Sequence, residues 1–234
     1  MDTSRDTTTM SLNLKTVDLG AVSSAADVIF DALREAIVEG TLKDGDLLRQ
    51  DQIATMFNVS RIPVREALAR LEEQGLITNQ RYKGAVVSSL SLDEISELFE
   101  FRALLEGEVI RQAVNQITDQ TLEEAKTFAE EFARETDSSR WSALNRQFHY
   151  TLYKDCKRPY HLQIIANALD NVSRYLRAQL VLTSGIERAR REHAGILNAA
   201  INRDSAEAAA LTRAHILGAS RSLIEFLEVE RAQR

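Results

Sequence analysis

The sequence predicts a mainly α-helical protein in two parts: a small N-terminal head of three helices and a hairpin, then an antiparallel bundle of six or seven helices. Three observations carry this prediction. Only two prolines and nine glycines punctuate 234 residues, which favours long uninterrupted helices over the many turns of a β-sandwich. Apolar residues recur at helical spacing along most of the chain. Helix-start signatures, in which Ser, Thr or Asp precedes Glu by three residues, recur through the second half.

Residues 1–20 are rich in Thr, Ser and Asp without a sustained period and read as a disordered tail. From Ala21 the pattern turns helical, with Val28, Ile29, Leu33, Ile37 and Val38 in phase and Gly40 as the stop. Thr41–Leu48 reads as a turn-rich connection. A short helix from about Arg49 to Phe57 follows, with Ile53, Ala54 and Phe57 on one face. The Asn58–Val59 turn leads to Ser60 as N-cap of a helix reaching Gln74. Pro63 falls in its first turn, where the missing N–H had no intrahelical partner anyway. Gly75 ends it, and Leu76–Asn79, a tip at Arg81–Gly84 and Ala85–Val87 form a small hairpin. Helix, short helix, tight turn, helix and hairpin outline a winged helix-turn-helix over residues 21–89. Residues 90–234 are almost wholly helical, with capping boxes at Ser91/Glu94, Thr121/Glu124 and Asp204/Glu207 and helices over roughly 91–115, 119–135, 138–156, 159–182, 186–202 and 204–230.

Composition bounds the function. A single cysteine, Cys156, excludes an internal disulfide and a thiolate zinc site, and points to a reducing, cytoplasmic setting. No apolar run approaches the ~20 residues of a membrane span, and no signal-type apolar core precedes the head. The net charge of −6, taken alone, opposes a nucleic-acid partner. Charge placement reverses that inference: the cations of the head, Arg49, Arg61, Arg65, Arg70, Arg81 and Lys83, cluster where a duplex would lie, while Asp27, Asp31, Glu35 and Glu39 occupy the first helix.

In a helix-turn-helix the second helix enters the major groove with its N-terminal residues nearest the base edges. Here those are Ser60, Arg61 and, one turn on, Arg65; arginine matches the paired O6/N7 acceptors of guanine. Arg81, Lys83 and Gly84 at the hairpin tip suit a phosphate or the minor groove. Solvated arginines on a helix exterior are the bland alternative. The run NVSRIPVREALARLEEQGLI closely resembles the DNA-binding signature of GntR-family bacterial transcription regulators. That resemblance implies that Arg61 and Arg65 read bases, that the Lys83–Gly84 tip enters the minor groove, and that the partner is double-stranded operator DNA. Two positions depart from the pattern. Asn58 stands where Gly is usual, and Asn tolerates the left-handed backbone. Asp51 stands where some members carry a basic residue, and Arg49 is the nearby substitute.

In the bundle, His149 shares a helix face with Asn145, Phe148 and Leu152; His193 is in phase with Ile196, Leu197 and Ala200; His215 lies near Leu211 and Leu217. Three imidazoles from three helices on inward faces either are separate core residues or converge as a first shell for Zn²⁺ or a related divalent ion. His161 stands apart. A GntR-type head before such a bundle resembles the FadR-like subfamily with an FCD effector domain, many members of which carry an Asp-x-x-x-His, His, His metal set. NRQFH at 145–149, EHAGIL at 192–197 and RAHI at 213–216 match it. The resemblance implies metal ligation by Asn145, His149, His193 and His215, with Asn145 replacing the aspartate and supplying no charge.

Arg102 falls within an apolar stripe of Ile95, Leu98, Leu105 and Val109, so its cation needs a partner. Glu106, one turn on, is one; the carboxylate of a small acidic effector is the other. Asn167, Asn171 and Arg174 form a polar stripe, with Asn167 and Arg174 as further effector-contact candidates. Trp141, Tyr150, Tyr153 and Tyr175 read as core or interface fillers, and Arg188–Glu192 as a solvated face. The leading function is a homodimeric, ligand-responsive regulator, a repressor by family pattern, that senses a small organic acid such as a sugar acid or hydroxy acid, aided by a bound divalent metal. A metal-sensing regulator uses the same residues. A metallohydrolase with a DNA-targeting head is the enzyme alternative, and no Asp or Glu is marked out as its general base.

Overall fold

The computed structural model describes residues 24–182 and 185–232, so the expected tail at residues 1–20 lies outside the described residues. Helix α1 (Ala25–Val38) opens on Ser24, whose hydroxyl accepts the Asp27 amide while the Asp27 carboxylate accepts the Ser24 amide. This reciprocal cap satisfies two amides that a helix start otherwise leaves bare. Ile29, Phe30, Leu33 and Ile37 form its buried face, whereas Val28 is 48% exposed, so the inward stripe is centred on Phe30 rather than Val28.

Leu47–Leu48 is a short strand, β1, rather than part of a connection alone; a two-residue pairing is too brief to leave a periodic signal. Helix α2 (Gln50–Met56) and α3 (Arg61–Glu73) are joined through Asn58, whose φ of 51° is the left-handed conformation expected at that turn. Val64, Ala67, Leu68 and Leu71 bury one face of α3. Strands β2 (Ile77–Gln80) and β3 (Gly84–Val87) complete a three-stranded antiparallel sheet in the order β1-β3-β2. These elements share one apolar core.

Six further helices make the bundle among the described residues: α4 (Leu92–Val114), α5 (Asp119–Arg134), α6 (Ser138–Tyr153), α7 (Pro159–Leu182), α8 (Gly185–Ile201) and α9 (Ser205–Ala232). The capping boxes at Ser91/Glu94 and the Asp204 cap on Glu207 form as expected. The one at Thr121 does not: Thr118 caps α5 by accepting the Thr121 amide, and Thr121 is buried inside the first turn. Helix α6 gives way to a single 3-10 turn at Lys154–Cys156 before Lys157 turns left-handed. Helix α4 packs along α9, α5 packs against α6 and α8, and α7 packs against α4, α6, α8 and α9. No helix of the described residues is long and apolar enough to cross a membrane.

The head rests on α7. Arg34 of α1 donates to Asp170 at 2.5 Å, Asn171 donates to the Gln74 carbonyl at 2.9 Å, and Tyr175 donates to Asp44 at 2.6 Å while accepting the Leu90 amide at 3.0 Å. This seam is polar and narrow, unlike the two apolar cores it joins.

The approach of α4 to α9 depends on Gly107: a Cβ there would stand 2.5 Å from Nε and 2.7 Å from Cγ of Arg213. The Cγ clears the methyl only if the whole Arg213 side chain turns or the helices part, so Gly107→Ala costs about 1–3 kcal/mol. At this chain size the melting temperature should fall by roughly 2–4 °C for each kcal/mol, read by calorimetry; an unchanged melting temperature would remove Gly107 as the determinant of this crossing.

Candidate metal centre and nucleic-acid interface

At the head, Ser60 is the N-cap of α3, yet its hydroxyl makes no capping bond. Arg61 and Arg65 sit one turn apart and are exposed. Arg61 is ion-paired with Asp51 of α2, both largely exposed, so in the free protein the residue that departs from the pattern holds the first candidate base reader. Arg65 lines a groove with Gln50, Ile62 and Asn79, between α2 and the hairpin. Ile62 is 68% exposed on this face, an apolar side chain of the kind that contacts a thymine methyl, and its place in the helix phase was its only signal. Arg49, the N-cap of α2, is exposed beside this surface. At the hairpin tip Arg81 lies 5.0 Å from the Tyr82 ring, and Lys83 is exposed. Gly84 has a φ of 92°, which a side chain would strain. Arg70 does not belong with these cations. It donates to Asp27 at 2.7 Å and covers the Phe30 ring at 4.1 Å, which directs it toward α1.

Inside the bundle the three histidines meet. His149 on α6, His193 on α8 and His215 on α9 are all buried, and one ring nitrogen of each lies within 4.8 Å of the other two. Their hydrogen bonds determine where the lone pairs point. Burial and the Glu106 carboxylate push the Tyr153 phenol well above its usual value, so it keeps its proton and donates it to Glu106 at 2.9 Å. The Tyr153 oxygen is then an acceptor for His149 Nδ1–H at 3.2 Å. Glu192 likewise accepts His215 Nδ1–H at 2.7 Å. With both Nδ1 atoms engaged away from the centre, the Nε2 atoms of His149 and His215 face each other, 3.3 Å apart. His193 is stacked on Phe148 at 4.5 Å, and neither of its ring nitrogens has a hydrogen-bond partner. Burial holds His149 and His193 well below the usual imidazole range, which keeps them neutral.

Two facing Nε2 atoms and an orphaned buried imidazole make up the donor set of a cation site, so these residues fit a divalent metal. His149, His193 and His215 would hold it, and Asn145, which lines one cavity with His215, offers an amide oxygen. A bound divalent ion would supply Lewis acidity toward an oxyanion. Tyr153, Glu106 and Glu192 act on the histidines rather than on the ion. Sequence reasoning missed their role, although Tyr153 stands four residues after His149 and Glu192 precedes His193.

The cavity beside the histidines has about 30 Å³ of free space, and Arg102, Arg146, Arg188 and Ser173 also line it. That volume suits one or two waters. The Arg102 Nε–H is taken by Glu106 at 2.8 Å, so the nearer of its two expected partners is in place while the residue still faces the cavity. Three corrections follow. Arg188–Glu192 is not a solvated face: Arg188 lines the cavity and Glu192 orients His215, because this turn of α8 packs against α9. Asn167 accepts from Gln163 and is not among the cavity-lining residues, since the inward phase of α7 runs through Leu169, Ser173 and Leu176. Tyr150, expected to fill a core or an interface, is 51% exposed, so the core role falls away. The Arg174 side chain lies outside the described residues.

The bacterial regulatory protein gntR family matches residues 25–87, and the FCD domain matches residues 97–218. The chain is 28% identical over 211 residues to the HTH-type transcriptional regulator BphR of Paraburkholderia xenovorans, covering 86% of this chain and 85% of that protein. It is 32% identical over 157 residues to the gluconate operon transcriptional repressor of Bacillus subtilis, covering 66% and 63%. A solved GntR family member from Pseudomonas syringae pv. tomato is 30% identical, with 89% and 88% covered and a TM-score of 0.55.

With metal removed, the folded protein holds His149 and His193 neutral, while the unfolded chain protonates each near the ordinary value of 6.5. The unfolded state therefore binds more protons in acid, and stability is lost as pH falls below that value, by about 1.4 kcal/mol per pH unit for each histidine. Urea denaturation in excess chelator between pH 7.5 and 5.5 should show this slope, and His193→Gln should reduce it by about half.

Proposed function

The chain belongs to the GntR family of bacterial regulatory proteins with an FCD domain, and from that membership we propose that this DNA-binding transcription regulator is a homodimeric repressor whose operator affinity is set by a small carboxylate effector bound beside a divalent metal. The observation that carries this reading is the pairing of two complementary faces in one buried place: the facing Nε2 atoms of His149 and His215, suited to a cation, and three arginines lining the adjoining cavity, suited to an anion. Neutral imidazoles suit Zn²⁺ or a related ion, and guanidinium groups suit a carboxylate. A sugar acid or hydroxy acid offers both a carboxylate and neighbouring hydroxyls for Ser173, Ser142 and Asn145.

On the DNA side, Ser60, Arg61 and Arg65 face the major groove, Arg49 and Arg81 meet the backbone, and Lys83 with Gly84 enters the minor groove. Arg61 exchanges Asp51 for a base edge on binding, whereas Arg65 has no ion pair to give up within 4.0 Å among the described residues. A metal-sensing regulator is the second reading, and the small cavity favours it, since about 30 Å³ admits an ion or water more readily than an acid. The metallohydrolase reading is weakened because the nearby carboxylates are engaged, Glu106 with Arg102 and Tyr153, Glu192 with His215.

Arg65→Ala should cost about 1–3 kcal/mol of discrimination between operator and scrambled duplex at physiological salt. Equal discrimination by the variant and the parent in a gel shift would sink the base-reading role. A thermal-shift screen of sugar acids, hydroxy acids and fatty acids, each with and without Zn²⁺, tests the effector site, because a ligand of the folded state raises the melting temperature by mass action. An acid that stabilises only with Zn²⁺ supports the reading. Stabilisation and operator release by Zn²⁺ alone, with no acid adding to it, would replace it with the metal sensor. Asn145→Asp should tighten Zn²⁺ binding on the order of tenfold, by supplying the missing charge.

A further inference from the structure

We propose that Arg146 senses the charge state of the bundle cavity and passes it to the DNA-binding head through Asp170, a buried carboxylate that both parts of the molecule share. The inference rests on the effector reading of that cavity and adds the route by which occupancy reaches the head.

The geometry is specific. The Asp170 side chain is 3% exposed and carries two guanidinium groups on its two oxygens: Arg34 of α1 donates to Oδ2, and Arg146 of α6 to Oδ1. Arg34 belongs to the head and Arg146 to the bundle. Arg146 also lines the cavity beside His215, one residue after the candidate ligand Asn145. On its other side it lines a cleft of about 380 Å³ between α1 and the bundle, together with Arg34 and Ser173. Arg146 is thus part of the wall between the cavity and the head, and Asp170 is the point where the two parts compete for one charge.

Coulomb's law gives the sign. With Arg146 in place, Asp170 is already neutralised, and Arg34 meets a second guanidinium of like charge at the same carboxylate. With the metal already in place, a carboxylate entering the cavity neutralises Arg146 and leaves Asp170 with its full negative charge toward Arg34, whereas the metal alone acts in the opposite sense. Occupancy therefore tightens the head against α7, and vacancy loosens it. Asp31 and Glu35 of α1 line the same cleft and attract Arg146 in the opposite sense, but they are exposed and act through screened solvent, whereas Asp170 acts in contact and away from water. Two states with different head mobility, biased by ligand charge, are what coupling between two sites requires.

The Leu90 amide reports the seam, because its acceptor, the Tyr175 hydroxyl, is itself tied to Asp44 of the head. Hydrogen exchange at Leu90 is measured on the full chain without ligand. Arg34→Gln should speed it about threefold, the scale of a partly exposed ion pair, and Arg146→Gln should slow it about threefold by removing the competing cation. In an Asp170→Asn background Arg146→Gln should change nothing, and circular dichroism checks that each variant is folded. Faster exchange in Arg146→Gln, matching Arg34→Gln, would overturn the proposal by making both arginines plain seam anchors; no change in either would overturn it equally. A second arm uses D-gluconate with Zn²⁺ as the probe, and thermal shift reports whether it binds. If it binds, it should slow Leu90 exchange in the parent relative to Zn²⁺ alone, and leave Arg34→Gln unchanged on the same comparison. If neither it nor any other acid in the screen binds, the effector reading fails, while the ligand-free comparison still decides the Asp170 link.

Discussion

Burying three imidazoles in an apolar bundle is the constraint on which the rest of the effector domain depends. Burial keeps His149 and His193 neutral, and each protonated ring nitrogen needs an acceptor that is itself satisfied. The chain meets this with two short networks that meet at the facing Nε2 atoms: Arg102 to Glu106, Glu106 to Tyr153 and Tyr153 to His149 in one, and Glu192 to His215 in the other. The first fixes the rotation of α4 against α6, and the second that of α8 against α9. Removing one member strands a buried charge or proton, which costs far more than the net contribution of any one bond. His193 is the exception, held by stacking on Phe148 and Phe132 with no polar partner. Its ring is placed by shape, and its lone pair is left to the centre.

The head solves a different electrostatic problem. Residues 21–88 carry eight basic and ten acidic side chains, so the head offers a duplex no net attraction. Separation by face supplies what the total does not. The acids of α1 point to Arg70 and to the cleft above the bundle, while Arg61, Arg65, Arg81 and Lys83 remain on the surface of α3 and the hairpin. Asp51 tempers even that surface by pairing with Arg61. Such a head gains little from phosphate neutralisation alone, which dominates non-specific binding, and must rely more on base contacts.

What could be read from the sequence follows from the range of each interaction. The helices of the bundle and the recognition helix were legible because burial of one face imposes a 3.6-residue period, as in Val64, Ala67, Leu68 and Leu71. The three inward histidines were legible for the same reason. Strand β1 was not, since two paired residues have no period. Glu192 was misread as solvated because it lies beside arginines in sequence, and only the packing of α8 on α9 brings it to His215. Asp170 and Arg146 left a fainter trace: an acid between Leu169 and Val172, and an arginine beside Asn145. Their pairing spans α6, α7 and α1, and nothing local in the chain announces a contact between residues 34 and 170.

The substitution at position 145 connects these observations. Three neutral imidazoles and an amide donate lone pairs but no charge, so they leave the two positive charges of a divalent ion uncompensated in a medium of low dielectric. Arg102, Arg146 and Arg188 line the adjoining cavity and add to that positive field. Glu106 and Asp170 answer two of these guanidinium groups, and Glu192 lies 3.6 Å from the third, which leaves no acid of the network over for the centre. On the proposed reading, the missing negative charge is the effector's own. Effector and metal then bind best together, each raising the affinity of the other by the same factor, as linkage requires. An aspartate at position 145 would satisfy the ion in advance and weaken that dependence. Asparagine in its place makes metal affinity depend on the acid, and the carboxylate that completes the centre is the same charge that Arg146 reports to Asp170 and the head.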